Sequence, residues 1–236
     1  GMTFLAMAGF EANEVISAIP GALKLAAAGN MDLATSADIA SNILTGFALS
    51  AEESDRVVDV LAKTMTSSNT NLTQLGEAMK FVAPVAKGFG VSVEETSAAI
   101  GMLSDAGIQS SMAGTTLRNI MVTMKEASEE LGFSMTDAQG KMLPLADLLD
   151  LLAKKSGGTQ QAIDIFGKRA GPGLVSLLEQ GASKLKDFTQ ELENSGGTAA
   201  RIADKQMQGF NGAITELKSA VQGLFIEMME TGAVKQ

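Results

Sequence analysis

Gly46-Phe47-Ala48-Leu49-Ser50-Ala51-Glu52-Glu53 and Gly88-Phe89-Gly90-Val91-Ser92-Val93-Glu94-Glu95 are two versions of one phrase. Each reads as a helix stop followed by a helix start. Gly takes the left-handed C′ position, Phe packs back on the last turn, and Ser caps the helix that follows. The Glu three residues beyond each Ser makes a capping box, in which the side chain reaches back to the amide of the cap. Apolar residues at helical spacing come next: Val57, Val58 and Leu61 after the first copy, Val93, Ile100 and Leu103 with the second. A third copy, Gly132-Phe133-Ser134-Met135-Thr136, follows at shifts of 42 and then 44 residues, and Gly9-Phe10 is a fainter one upstream. Two explanations fit at this level. Either the chain reuses good caps, or it repeats a two-helix unit of about 42 residues that stacks on its neighbours.

Working outward, Met112 to Leu131 is the longest clean helix, with Leu117, Ile120, Met121, Met124 and Leu131 on one face. Pro20 and Pro84 are each expected to kink or split a helix, because proline lacks the donor and crowds the preceding turn. The third copy departs from the others. Gly140-Lys141-Met142-Leu143-Pro144 stops any helix begun at Thr136, so a small β-hairpin is expected at 133–143. Its arms would be Phe133 to Met135 and Lys141 to Leu143, with Gly140 supplying the positive φ. Leu145, Leu148, Leu149 and Leu152 then resume a helix that ends at Lys154 and Lys155. Ser156-Gly157-Gly158, Gly171-Pro172-Gly173 and Ser195-Gly196-Gly197 read as turns and boundaries.

The last segment differs in kind. Met207, Phe210, Ile214, Leu217, Val221, Leu224 and Met228 are spaced 3, 4, 3, 4, 3, 4, a strict heptad seam. Gly209, Gly212 and Gly223 lie off the seam, each costing the helix about 1 kcal/mol against Ala. The seam is therefore a candidate self-association surface. An amphipathic helix docked on its own domain explains it equally well. The fold expected is all-α: packed helix-loop-helix units with the hairpin near 133–143 and a C-terminal heptad helix. The division expected is 1–155 as the repeat-like core, 156–198 as helices with Gly-rich linkers, and 199–236 as the heptad arm.

Composition narrows the function. The 236 residues contain no Cys, His, Trp or Tyr, which excludes disulfides, thiol chemistry, imidazole triads and the usual zinc ligand sets. Eighteen basic against 27 acidic residues give a net charge of −9, the wrong sign for wrapping a phosphate backbone, so no specific nucleic acid is expected. No apolar run approaches the roughly 18–20 residues of a bilayer span. Phosphate loops are near misses: Gly167-Lys168 has Ala162 where the first Gly belongs and Arg169 where the hydroxyl belongs. Gly140-Lys141 fails likewise at Met135 and Met142, and Gly88-Phe89-Gly90 lacks a third Gly. The acidic pairs Glu52-Glu53, Glu94-Glu95 and Glu129-Glu130 lie at helix starts or on an exposed face, where the helix dipole accounts for the first two. Catalytic, cofactor-binding and metal-binding residues are therefore expected to be absent. A generic helical interaction module and, less favoured, a membrane-active helical protein are the rivals to an assembly role.

Taken in order, these stretches resemble the core region of the phage tail tape measure proteins. The resemblance rests on Gly46 to Ser54, Gly88 to Thr96, Ala106 to Ile108 with Ala113 to Arg118, and Asp137 to Leu149. It continues through Ile165 to Ala170, Asn194 to Ala200 and Gly212 to Leu224, and covers most of the chain from about Asn30 onward. It implies a long, helical, oligomeric protein that serves as ruler and scaffold for tail-tube polymerisation. The implied partners are copies of itself and tail-tube or tail-chaperone proteins; the implied location is the virion tail, with assembly in the host cytoplasm. A continuous helix of this length reaches only about 350 Å, so the chain is expected to be part of a larger ruler.

Overall fold

In the computed structural model, residues 2–156 and 158–209 are described. They are helical apart from short junctions: α1 (Met2–Met7), α2 (Ala12–Gly29), α3 (Leu33–Phe47), α4 (Ser54–Ser67), α5 (Leu72–Gly88), α6 (Val93–Asp105) and α7 (Ser110–Leu131). After these come α8 (Leu145–Lys155), α9 (Thr159–Gln180), α10 (Ala182–Glu193) and α11, residues 198–209. Helices α2, α4 and α6 lie side by side in one row, and α3, α5 and α7 in a second row beside it. The main apolar core runs between the rows from Leu25 to Ala199. A smaller cluster of Leu5, Val15, Ala18, Ala22, Ala37 and Ala51 closes the α1–α2 end.

The repeat is structural. Stepping 42 residues at a time through the first row, Val15, Val57 and Ala99 are all buried, as are Ala18, Val60 and Met102. In the second row the same step links Ala37, Met79 and Met121, and then Ala40, Val82 and Met124. Identical burial at equivalent positions is what stacked units require, because each unit buries its apolar faces against its neighbours.

The junctions show how the chain turns between rows. The left-handed residue lies at Ala48, Gly90 and Gly132, evenly spaced. In each case the next amide bonds back five residues: Leu49 to Leu44, Val91 to Ala86, Phe133 to Ser128, at 2.8, 2.9 and 3.0 Å. This is the long bond of a Schellman motif. The structural equivalents are thus Ala48-Leu49-Ser50, Gly90-Val91-Ser92 and Gly132-Phe133-Ser134. Gly46 and Gly88 remain helical, two residues before the position expected for them. Asn30 and Gly107 make the same junction after α2 and α6, with Met31 and Ile108 donating to Ala26 and Leu103.

Several expectations are corrected. Neither Pro20 nor Pro84 divides its helix. Both prolines are exposed, as are Ile16 and Lys80 four residues earlier, so the carbonyl left without its helical partner lies on the solvent side. No strand forms among the described residues. The hairpin at 133–143 shrinks to one antiparallel bridge, Thr136 with Met142, flanked by Asp137 N–H to Lys141 O and Leu143 N–H to Met135 O, both 2.8 Å. The Asp137 carboxylate accepts the amides of Gln139 and Lys141, Phe133 is already used by the α7 terminus, and Pro144 brings no donor. Gly171-Pro172-Gly173 makes no turn; α9 runs through it and breaks instead at Gly167, where φ is +71°.

Beyond Gly132 the alternation of rows is lost. α9 continues the second row beside α7, whereas the first row continues with α10 beside α6, and α8 packs against α10 and also touches α9 and α7. α6 is left at the centre, buried on every side from Val93 to Ser104.

Candidate interaction site and carboxylate clamps

Two carboxylates on the first row fasten the second half of the chain. Ser92 caps α6 by accepting the Glu95 amide at 3.1 Å, as its spacing predicts. The Glu95 side chain, however, does not return to the cap. It crosses to the first turn of α8, where Oε1 accepts the amides of Leu145 and Ala146. Its neighbour Glu94 is buried and paired with Arg56, which also holds Glu53. The Glu94-Glu95 pair lies in the first turn of its helix, as expected, but that turn is buried.

Glu95 faces a cavity of about 350 Å3 between α6, α8 and α10, with Asp147, Lys186 and Glu193 also on its wall. Burial pushes the Glu95 carboxyl above its ordinary value, opposed by the two amides, with Asp147 and Glu193 adding to the rise. A raised carboxyl in a cavity is a familiar sign of acid–base function. Here its oxygen is committed to capping a helix, and its work is structural.

Asp59 on α4 is the second clamp. Its two oxygens accept the amides of Gly197 (2.7 Å) and Ala199 (2.9 Å), capping α11 from another element. Arg201 bonds back to Thr198 Oγ1 at 2.7 Å and to the Gly196 carbonyl. The far end of α11 is tied by Gln206, whose Nε2 donates to the Ala28 carbonyl of α2 at 2.8 Å. Sequence reasoning missed Asp59, Glu95 as a clamp and Gln206, because each acts on a partner 50 to 178 residues away.

Of the seam residues, Met207 lies on α11 and is half exposed to solvent. Phe210, Ile214, Leu217, Val221, Leu224 and Met228 lie outside the described residues. Among the described residues no group of Asp and Glu is suited to holding a metal ion, and no helix is long and apolar enough to cross a membrane.

Stacked two-helix units, with Glu95 and Asp59 holding the starts of later helices, define an all-helical stacked-repeat protein. The family is shown by comparison: the profile of the phage-related minor tail proteins matches residues 1–171, and the chain belongs to that family. A tape measure protein of Pneumococcus phage Dp-1 is 36% identical over 239 residues, covering 96% of this chain. The chain spans 21% of that relative's length. No solved structure matches.

Proposed function

We propose that this chain is a helical segment of a tail tape measure protein, a non-enzymatic part of the ruler and scaffold inside the tail tube. The observation that carries it is the 36% identity to a tape measure protein along almost the whole chain. Its partners are copies of itself and tail-tube or tail-chaperone proteins, met in the host cytoplasm during assembly and retained in the virion tail. Residues 199–236 form the arm that makes these contacts, with Met207, Phe210, Ile214, Leu217, Val221, Leu224 and Met228 as the attachment seam. Leu217→Asp or Leu224→Asp then turns an oligomer into a monomer, read by light scattering; unchanged mass for both removes the seam from the proposal.

The test of the role is tail length by electron microscopy after in-frame deletion of residues 49–90, which removes α4 and α5 and joins Ala48 to Val91 across equivalent junctions. Absent, shortened or misassembled tails are expected. A loss near 60 Å corresponds to the rise of the deleted residues as one extended helix. Normal tails of unchanged length overturn the proposal.

A further inference from the structure

α10 lies antiparallel to α6, with Lys184 beside Asp105 at one end and Glu193 and Glu95 on one cavity wall at the other. Between these ends Phe188 sits on Gly101, where a Cβ would come within 2.8 Å of its ring. The stripe of α6 at this place is Ser97, Gly101 and Ser104, spaced 4 and 3 and so on one face. Both hydroxyls are fully buried, and neither has a hydrogen-bond partner. A buried hydroxyl without a partner opposes the packing that buries it, because water would satisfy it. The repeat identifies the stripe. One and two units back, Ser97 and Gly101 correspond to Asp55 and Asp59 on α4 and to Asn13 and Ser17 on α2. Asp55 is exposed. α10 thus covers a face whose composition in the repeat suits water.

We propose that α10 is a detachable cover, which swings off α6 as a unit and leaves the two rows intact. The helix is poorly built for a permanent seat. Lys184 and Lys186 stand near its start and Glu191 and Glu193 near its end, each opposing the helix dipole. No side chain caps its first turn. Its ion pairs, Lys184 with Asp105 and Lys63 with Glu191, are partly exposed and contribute little. Cavities of about 350 Å3 run along both flanks, one against α8 and one against α4. The side chains that seat it are Leu185, Phe188 and Leu192. Gly181 and Gly197, with φ of +92° and +75°, bracket it in backbone that glycine takes most readily. The neighbouring helices have holds of their own. α11 is fastened by Asp59 and Gln206, and α8 by Glu95 and by its packing on α7 and α9.

Thiol labelling tests the opening, since the chain has no cysteine. Ser104→Cys places a thiol under α10, and Ala99→Cys places one on the opposite face of α6; both positions are fully buried. In the folded chain Ser104→Cys should label at least about 100-fold faster than Ala99→Cys, as local opening falls well short of global unfolding. Adding Ser97→Ala to Ser104→Cys should slow that labelling about fivefold, because the closed seat then holds no unpaired hydroxyl. If Ala99→Cys compromises folding, as circular dichroism reports, hydrogen exchange of the natural chain decides. The α10 amides should then exchange together and ahead of those of α6 and α7. Equal labelling of the two thiols overturns the proposal. So does α10 exchange in step with α6, or a Ser97→Ala variant that labels no more slowly.

Discussion

Residues 12–134 and residues 135–209 are almost equally helical, yet they are held by different means. The first region repeats the same buried positions every 42 residues, so each contact is one instance of a pattern. Its second row packs so closely that a Cβ on Gly114 would overlap the carbonyl oxygen of Ala78, and one on Gly76 would come within 2.6 Å of Ile39. The second region has no such periodicity. It packs on the same apolar core, with α9 beside α7 and α10 beside α6, and single groups fix its helix ends: Glu95 at the start of α8, Asp59 at the start of α11, and Gln206 at the end of α2. Repetition spreads stability over many equivalent contacts, whereas a clamp concentrates it in one.

That contrast is broken most severely by Gly114→Val. The new side chain meets backbone that cannot swing aside, separating α5 from α7, and a loss of about 3 kcal/mol or more is expected in urea unfolding. An unchanged midpoint would show that α5 and α7 are not in close contact. Asp59→Ala should be smaller and local. Losing the cap costs about 1 kcal/mol, with faster amide exchange confined to residues 195–209 and none in α5 or α7. Exchange that rises evenly across the chain would mean that the two regions are one cooperative unit.

Glu95→Gln sharpens the comparison by pH. Burial raises the folded carboxyl above its unfolded value near 4.5, so the folded chain binds that proton more tightly. Its contribution to stability is complete below the unfolded value and is lost as the pH rises through the folded one. Gln keeps an oxygen for the α8 amides and does not titrate. The stability of the natural chain minus that of the variant should therefore fall as the pH is raised from about 4 to about 8. A difference that is flat or rising would exclude a raised Glu95. The smallest effect expected is that of Ser97→Ala. The buried Ser97 hydroxyl has no hydrogen-bond partner, so its removal should leave thermal stability unchanged or raise it by up to about 1 kcal/mol. A clear loss would reveal a bond at the centre of α6.

Much of the repeat region was legible because its signals are local. The Ser92 cap, the α7 stripe and the Leu-rich α8 each declare themselves within one or two turns, whereas the Ser50 hydroxyl makes no cap bond and Glu53 pairs with Arg56 instead. The phase of the repeat was less legible. Matching Gly132 to Gly88 gives unequal steps, because the eye follows glycine, whereas the left-handed position in the first copy is occupied by Ala48. The Ser at 50, 92 and 134 was the better marker. The clamps were illegible for a different reason: Glu94 and Glu95 look like any acidic first turn, and only the fold brings Arg56 and the start of α8 to them.

One consequence is mechanical. The chain leaves α2, builds two rows outward through α6 and α10, and then returns along α4 to α2, so Gln206 is joined to Ala28 across 178 positions. A pull applied between the start of α2 and the end of α11 does not load the rows in series. Tension meets the Gln206–Ala28 bond first, and then the Asp59 cap together with the packing of Ala199 and Ile202 on the core.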